Sequence, residues 1–347
     1  MRFLAVPLDR ALGRILGHNV VAPGGRRLLR KGKPLDRGDL DLLGSLGRRT
    51  VYVAWLDQDD VGEDEAARRV TAAVVGRGVE LRGPATGRVN VMAAALGVVR
   101  VNVGGLERCN RCEGITLATL RTGTAVRAGR MVGTTKILPY AVASATVEEV
   151  ERIGREEGPL LWVDALTPRR VGLVVSTSTG GGERTVAGFA SALRTRLEAL
   201  GSELARVDHA PLDEDGGEES LAATIADHAR VGLELIVLAG ETAIQDGDDI
   251  APRALRLAGG EVVCFGAPVD PGNLLMLGYL GGVPVLGAPG CARSPKLNIV
   301  DLLLPRLLLG ERLEREEIAR LGHGGLLEDV PERPMPRERA VGQGESG

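Results

Sequence analysis

The chain has 347 residues, 44% apolar but only 2% aromatic, with a formal net charge of −3 and four cysteines. That length accommodates two or three domains with aliphatic cores, while a near-neutral charge argues against a chain-wide nucleic-acid surface, which needs a basic excess. No stretch approaches the roughly 20 apolar residues of a bilayer span, the start "MRFLAVPLDRALGRILGHN" lacks a signal-peptide core, and Cys109, Cys112, Cys264 and Cys291 make no disulfide framework, so a soluble, cytoplasmic protein is expected.

In chain order, "GHNVVAPGGRRLLRKGKPL" predicts two short strands around Pro23-Gly24-Gly25, with a second turn near Lys31-Gly32-Lys33. "DRGDLDLLGSLG" follows as a short helix with Asp36 at its N-cap and Gly47 closing it. "TVYVAW" alternates as a strand. "VGEDEAARRVTAAVVG" reads as a helix whose early Glu63, Asp64 and Glu65 complement the helix dipole. From Leu81 to Ala145 short strands are expected to dominate. The "CNRC" pair at Cys109 and Cys112 reads as incidental thiols, because no second ligand pair accompanies it. "ATVEEVERIGREEG" is a helix, and "LTPRR" around Pro168 a linker.

Beyond the linker the pattern changes. "RRVGLVVSTS", "GSELARVDHAP", "LELIVLAG" and "EVVCFGA" read as strands alternating with the helices "VAGFASALRTRLEAL", "EESLAATIADHARVG" and "IAPRALRLAGG". Strands without period-2 polarity, alternating with helices, indicate a mostly parallel sheet covered on both faces. Ligands bind such sheets beyond the carboxyl ends of the strands, where the loops 176–184, 239–249 and 287–296 are expected. The predicted organisation is a small α+β region over 1–75, a strand-rich region over 76–165, an α/β domain over 166–310, and a helix with a tail over 311–347.

Those loops carry the candidate chemistry. In "STSTGGGERT", Gly180 and Gly181 allow close approach of a ligand to the backbone, although neither a Walker loop nor a dinucleotide fingerprint is present. In "LAGETAIQDGDDIAP", Gly240 and Thr242 precede Asp246, Asp248 and Asp249. One acid would suffice as a cap, and three suit Mg²⁺ or a solvated loop equally. The turns Pro271-Gly272 and Pro289-Gly290 flank two further strands, and Arg293, Ser294 and Lys296 follow. Cations at a helix start oppose its dipole, so an anion held there would relieve the mismatch. His323 in "LGHGGL" reads as a helix-end residue, and His18, His209 and His228 show no ligand spacing.

These turns resemble the molybdenum-cofactor biosynthesis domain family. Gly240-Glu241-Thr242-Ala243 running to Asp249 is similar to its strand-end glycine loop, Pro271-Gly272-Asn273-Leu274 to its Pro-Gly turn, and Ala288-Pro289-Gly290-Cys291 to its last turn. Asp213 is a further positional match. "ALGRILGHNVV" and "LLLPRLLLGE" extend the likeness across most of residues 5 to 326. The resemblance implies a three-layer α/β/α domain and a homo-oligomer, dimer or trimer. It implies that Gly180, Gly181, Gly240, Thr242, Pro271, Gly272, Pro289, Gly290, Arg293, Ser294 and Lys296 hold the pterin molybdopterin. It also implies that Asp246 and Asp249 act in inserting molybdate into adenylated molybdopterin, with Asp246, Asp248 and Asp249 on Mg²⁺ and AMP released. The family's Gly-Asp-Glu after the first strand is absent, Glu241 replaces a glycine and Leu274 a proline. These departures favour the alternative of a non-catalytic carrier or sensor serving a cytidylyltransferase or a molybdoenzyme.

Overall fold

The computed structural model describes residues 1–178, 182–212 and 216–327, so Gly180, Gly181, Asp213 and the tail beyond 327 lie outside the described residues. The chain divides into two compact units, Met1–Asp164 and Ala165–Gly347.

The first unit begins with β1 (Arg2–Pro7), β2 (Ile15–Leu16), β3 (Val20–Val21), β4 (Arg27–Leu29), α1 (Arg37–Ser45) and β5 (Thr50–Trp55). β5 lies between β1 and β2, antiparallel to both. Asp36 caps α1 as expected: its side chain accepts from Asp39 N, and Asp39 returns the bond to Asp36 N. Leu43 of α1 then packs with Val6, Leu16, Val51 and Val53.

There follow β6 (Asp60–Gly62), α2 (Glu63–Val74), β7 (Val79–Ala85), β8 (Arg88–Ala93), β9 (Gly97–Val101), α3 (Val103–Asn110), β10 (Ile115–Thr119), β11 (Ala125–Val126), β12 (Met131–Ile137), β13 (Ala141–Ala143), α4 (Ser144–Glu157) and β14 (Leu161–Ala165). An antiparallel sheet in the order β10-β12-β8-β7 shares an apolar cluster with α2 and α4, through Val70, Val74, Val89, Ile137 and Val150. The strand-dominated reading of Leu81 to Ala145 missed α3. Gly104 and Gly105 in its first turn lower helix propensity, yet Asn102 caps it by accepting from Gly105 N at 3.0 Å. Gly105 is there for space, since a Cβ would lie 2.3 Å from Leu160 Cδ2. Cys109 on this helix is buried, and burial pushes its thiol up to about 12. Burial also raises Cys112. Neither is poised as a thiolate.

The second unit contains β15 (Arg170–Thr177), α5 (Gly182–Ala199), β16 (Glu203–Pro211), α6 (Gly217–Arg230), β17 (Leu235–Gly240), α7 (Ile250–Leu257), β18 (Glu261–Phe265), β19 (Met276–Leu280), β20 (Val283–Gly287), α8 (Ile299–Leu308) and α9 (Arg315–Arg320). Its six-stranded sheet runs β16-β15-β17-β20-β19-β18. The first four are parallel neighbours, whereas β19 is antiparallel to both β20 and β18, so the sheet is mixed. Alternate strand residues feed two apolar clusters. Leu173, Val237 and Leu277 join α5 and α8 on one side, while Val174, Ile236 and Met276 join α6 and α7 on the other. Burial on both faces explains why these strands read as continuous apolar runs.

Candidate functional site at the carboxyl rim of the sheet

Strand register decides which loops meet. Ser176 lies opposite Gly240, Thr177 opposite Pro211, Leu238 opposite Gly287, Met276 opposite Gly287, and Phe265 opposite Met276. The chain therefore leaves β15, β16, β17, β18 and β20 along one rim. A recess of about 40 Å³ opens there, lined by Ser176, Leu238, Gly240, Thr242, Asp249 and Ala288 among others. That volume suits a water molecule or so, and a ligand the size of a pterin would lie across the rim above it.

Two side-chain links brace this rim. Glu241 Oε2 accepts from Ser178 N at 2.9 Å and from Ser178 Oγ at 2.7 Å, while Glu241 N donates to Ser176 O at 2.9 Å. The bonds from the Ser178 hydroxyl and amide hold the Glu241 carboxyl below its ordinary range. Next to it, Thr177 Oγ1 and His209 Nε2 are 2.7 Å apart. Sequence spacing hides that pair. Only the parallel register, which sets Val175 against His209, makes them neighbours.

The acidic loop differs from the expectation of a metal centre. Both oxygens of Asp249 are engaged by backbone amides, Oδ1 by Ile250 N at 2.7 Å and Oδ2 by Gln245 N at 2.9 Å. Asp249 is thus the N-cap of α7. Asp246 Oδ1 accepts from Asp248 N at 2.8 Å, and Asp248 Oδ1 faces Arg256 Nη1 at 3.3 Å. Among the described residues no group of three or more His, Cys, Asp or Glu converges as metal ligands. Magnesium requires near-octahedral oxygen donors, so this donor set does not fit the ion. Asp246 and Asp249 instead fold the loop, because a nine-residue connection needs its backbone amides satisfied, while Asp248 pairs with Arg256.

The basic segment also differs from expectation. Gly290–Arg293 forms a short 3₁₀ turn, and α8 starts only at Ile299. Its N-cap is Asn298, whose Oδ1 accepts from Val300 N at 3.0 Å, with Asp301 Oδ2 accepting from Asn298 N at 2.9 Å. The first turn of α8 therefore carries an acid, and Arg293 and Lys296 precede it, so the dipole-mismatch reasoning does not apply. Arg293 is exposed, with its guanidinium 5.3 Å from the centre of the Phe189 ring. Ser294 Oγ accepts from Lys296 N at 3.1 Å. Pro289 is buried, whereas Gly290 is exposed and a Cβ there would meet nothing within 4 Å.

The residue that shapes this segment is Arg196, which the sequence reading did not single out. From α5 it donates to the carbonyls of Ala292, Ser294 and Lys296 and pairs with Asp301. Behind the segment, the Pro271 carbonyl accepts from Ile299 N at 3.2 Å, and Gly272 (φ 138°) lies where a Cβ would be 2.4 Å from Ile299 Cγ2. The rim thus brings Gly240, Thr242 and Asp249 to the recess and leaves Gly290 and Arg293 open. It gives Pro271, Gly272, Pro289 and Ser294 shaping positions. The hydrogen-bonding signal of Arg196 is spread over contacts about 100 residues away and leaves no local motif.

The family model "Domain of unknown function (DUF8806)" matches residues 5–55. No curated protein matches the chain. Among solved structures, a molybdenum cofactor biosynthesis protein from Pyrococcus furiosus aligns at 14% identity and a TM-score of 0.25, covering 89% of this chain and 64% of that one. A molybdopterin biosynthesis MoeA protein from Pyrococcus horikoshii aligns at 16% identity and a TM-score of 0.32, covering 89% and 75%. Molybdenum cofactor biosynthesis protein B aligns at 15% identity and a TM-score of 0.29, covering 42% and 96%. The chain thus spans 64% of the length of the Pyrococcus furiosus protein. Among the described residues, no helix is long and apolar enough to cross a membrane.

Proposed function

We propose that the carboxyl rim of the second unit binds molybdopterin, and that the protein holds this pterin during molybdenum-cofactor biosynthesis. The supporting observation is convergence: Gly240, the Pro271-Gly272 turn and the Pro289-Gly290 turn, separated along the chain, all lie on one sheet edge with an exposed arginine beside them. In this proposal the domain is a three-layer, mostly parallel α/β/α domain, and the protein is cytoplasmic and forms a dimer or trimer.

The roles follow from chemistry. Gly290, open on its outer side, lets a ligand approach the backbone closely. Arg293 supplies planar donors to a phosphate, and the Phe189 ring beneath it keeps the guanidinium in place. Thr242 adds a hydroxyl beside the recess. Lys296 adds a second cation on the same segment.

The acids favour binding over molybdate insertion. Asp249 already uses both oxygens as a cap, and no step is assigned to magnesium at this loop. Of the two readings, a carrier or sensor that hands molybdopterin to a cytidylyltransferase or molybdoenzyme is the better supported. Incubation with adenylated molybdopterin, molybdate and Mg²⁺ separates them. Pterin retained without AMP release supports a carrier; catalytic AMP release establishes a transferase instead.

A further inference from the structure

Net charge conceals a strong asymmetry. Residues 1–55 hold eleven Lys or Arg against four Asp, an excess of seven cations in a chain whose total is −3. Within that segment, the ion pairs among described residues join the Met1 amino group to Asp57 and Asp60, Arg2 to Asp57, and Lys33 to Asp36 and Asp39. Arg26, Arg27, Arg30 and Lys31 are exposed on and beside the β3–β4 hairpin and pair with no carboxylate among the described residues.

The same module exposes aromatic rings where an antiparallel sheet normally shows polar side chains. Val6, Val51 and Val53 turn to the core, so Phe3 and Tyr52 occupy the opposite face, 44% and 52% exposed. Their ring centres are 6.0 Å apart with planes 23° from parallel, and His18 sits edge-on to both, at 5.2 and 5.5 Å. The platform is held from below. A Cβ at Gly17 would lie 2.6 Å from Phe3 Cζ, so only glycine lets that ring lie there, and Tyr140 Oη donates to the Gly17 carbonyl at 3.0 Å. Backbone that carries cations adjoins it: the Lys31 amide donates to Asn19 Oδ1, one residue from His18. Arg48 and Arg49 lead into β5 at the other end, with Leu8 N donating to Arg49 O.

We infer that this face binds single-stranded nucleic acid, with bases stacking on Phe3, Tyr52 and His18 and phosphates running past the bordering cations. A sheet face with exposed rings and a local cationic excess has the two features that sequence-tolerant single-strand binding requires. Charge selects this occupant over a second copy, which would bring the same cations to the same face. Exposed rings select it over an acidic polypeptide, which would leave them without stacking partners. The inference stands apart from the pterin proposal, since it concerns the other unit.

The test uses the full-length protein and fluorescence anisotropy with labelled oligouridylate and oligothymidylate, across a salt series. Binding is expected, with log K falling linearly in log salt. Arg30→Ala and Lys31→Ala should each reduce that slope by about 0.7. Tyr52→Ala should weaken binding about fivefold or more, and Tyr52→Phe should retain it, which separates lost stacking from a damaged fold. Three results overturn the inference: no binding at low salt; equal binding of heparin and oligonucleotide with Tyr52→Ala neutral, which indicates a general polyanion surface; or self-association abolished by Tyr52→Ala without oligonucleotide binding, which indicates a second copy.

Discussion

Arg196 and Asp301 are joined twice, Nε to Oδ1 at 2.9 Å and Nη2 to Oδ2 at 3.3 Å, and the same guanidinium holds three carbonyls of the segment before α8. The Arg196 side chain is 9% exposed, so its partners have little water to replace it. Arg196→Ala removes the guanidinium from Asp301 and from those carbonyls, leaving Asp301 the bond from Asn298 N and Lys296 O the bond from Asn298 Nδ2. Loss of about 3 kcal/mol is expected from urea unfolding of this variant. Arg196→Lys should recover only part of it, because an ammonium cannot span the fork.

Glycines at the rim divide into structural and open positions. Gly272→Ala forces a Cβ against Ile299 at a positive φ, and about 2 kcal/mol or more of stability should be lost. Gly290→Ala meets nothing, and its stability should stay within about 0.5 kcal/mol of the parent. Thermal denaturation of the two variants compares them directly. A large loss for Gly290→Ala would show that the segment packs differently.

Asp249 gives a sharp contrast between cap and metal ligand. As a cap, Asp249→Ala should cost about 1 kcal/mol of stability, and Asp249→Asn or Asp249→Ser much less. Mg²⁺ or EDTA should leave the melting temperature of the parent unchanged. Stabilisation by Mg²⁺ that disappears in Asp249→Asn would return the acidic loop to metal binding.

The Glu241 clamp on Ser178 is pH-dependent in a defined direction. Its carboxyl is held below the ordinary value by the Ser178 hydroxyl and amide. The clamp is therefore fully present above the ordinary carboxylate range and is lost as pH falls through the depressed folded value. Protection of the Ser178 amide, measured relative to the exchange rate of a free amide at the same pH, should fall on acidification in the parent, and Glu241→Gln should remove the pH dependence of that protection. An unchanged profile in Glu241→Gln would mean that another group controls the loop.

How much of this was legible in the sequence depends on range. Local signals sufficed for Asp36 as the cap of α1, for the β3–β4 turn at Pro23-Gly24-Gly25, and for the alternating strands and helices of the second unit, because each rests on neighbours a few residues apart. The antiparallel setting of β19 was not legible, since an apolar run looks the same in either direction. At the rim, three acids in four residues resembled a cation site, but Asp246 and Asp249 bond backbone amides and Asp248 faces Arg256, which composition does not distinguish. Arg293 and Lys296 were placed at a helix start that Asn298 and Asp301 in fact form. Thr177–His209 and Arg196–Asp301 required register and packing before either could be seen.

The central claim concerns an anionic pterin at the open part of the rim, and anaerobic titration of molybdopterin into parent protein and Arg293→Ala tests it most directly. Saturable binding by the parent is expected, with the variant about tenfold weaker at unchanged stability, as loss of a charge-assisted contact predicts. Equal affinity in both proteins, or no binding by either, would contradict the account.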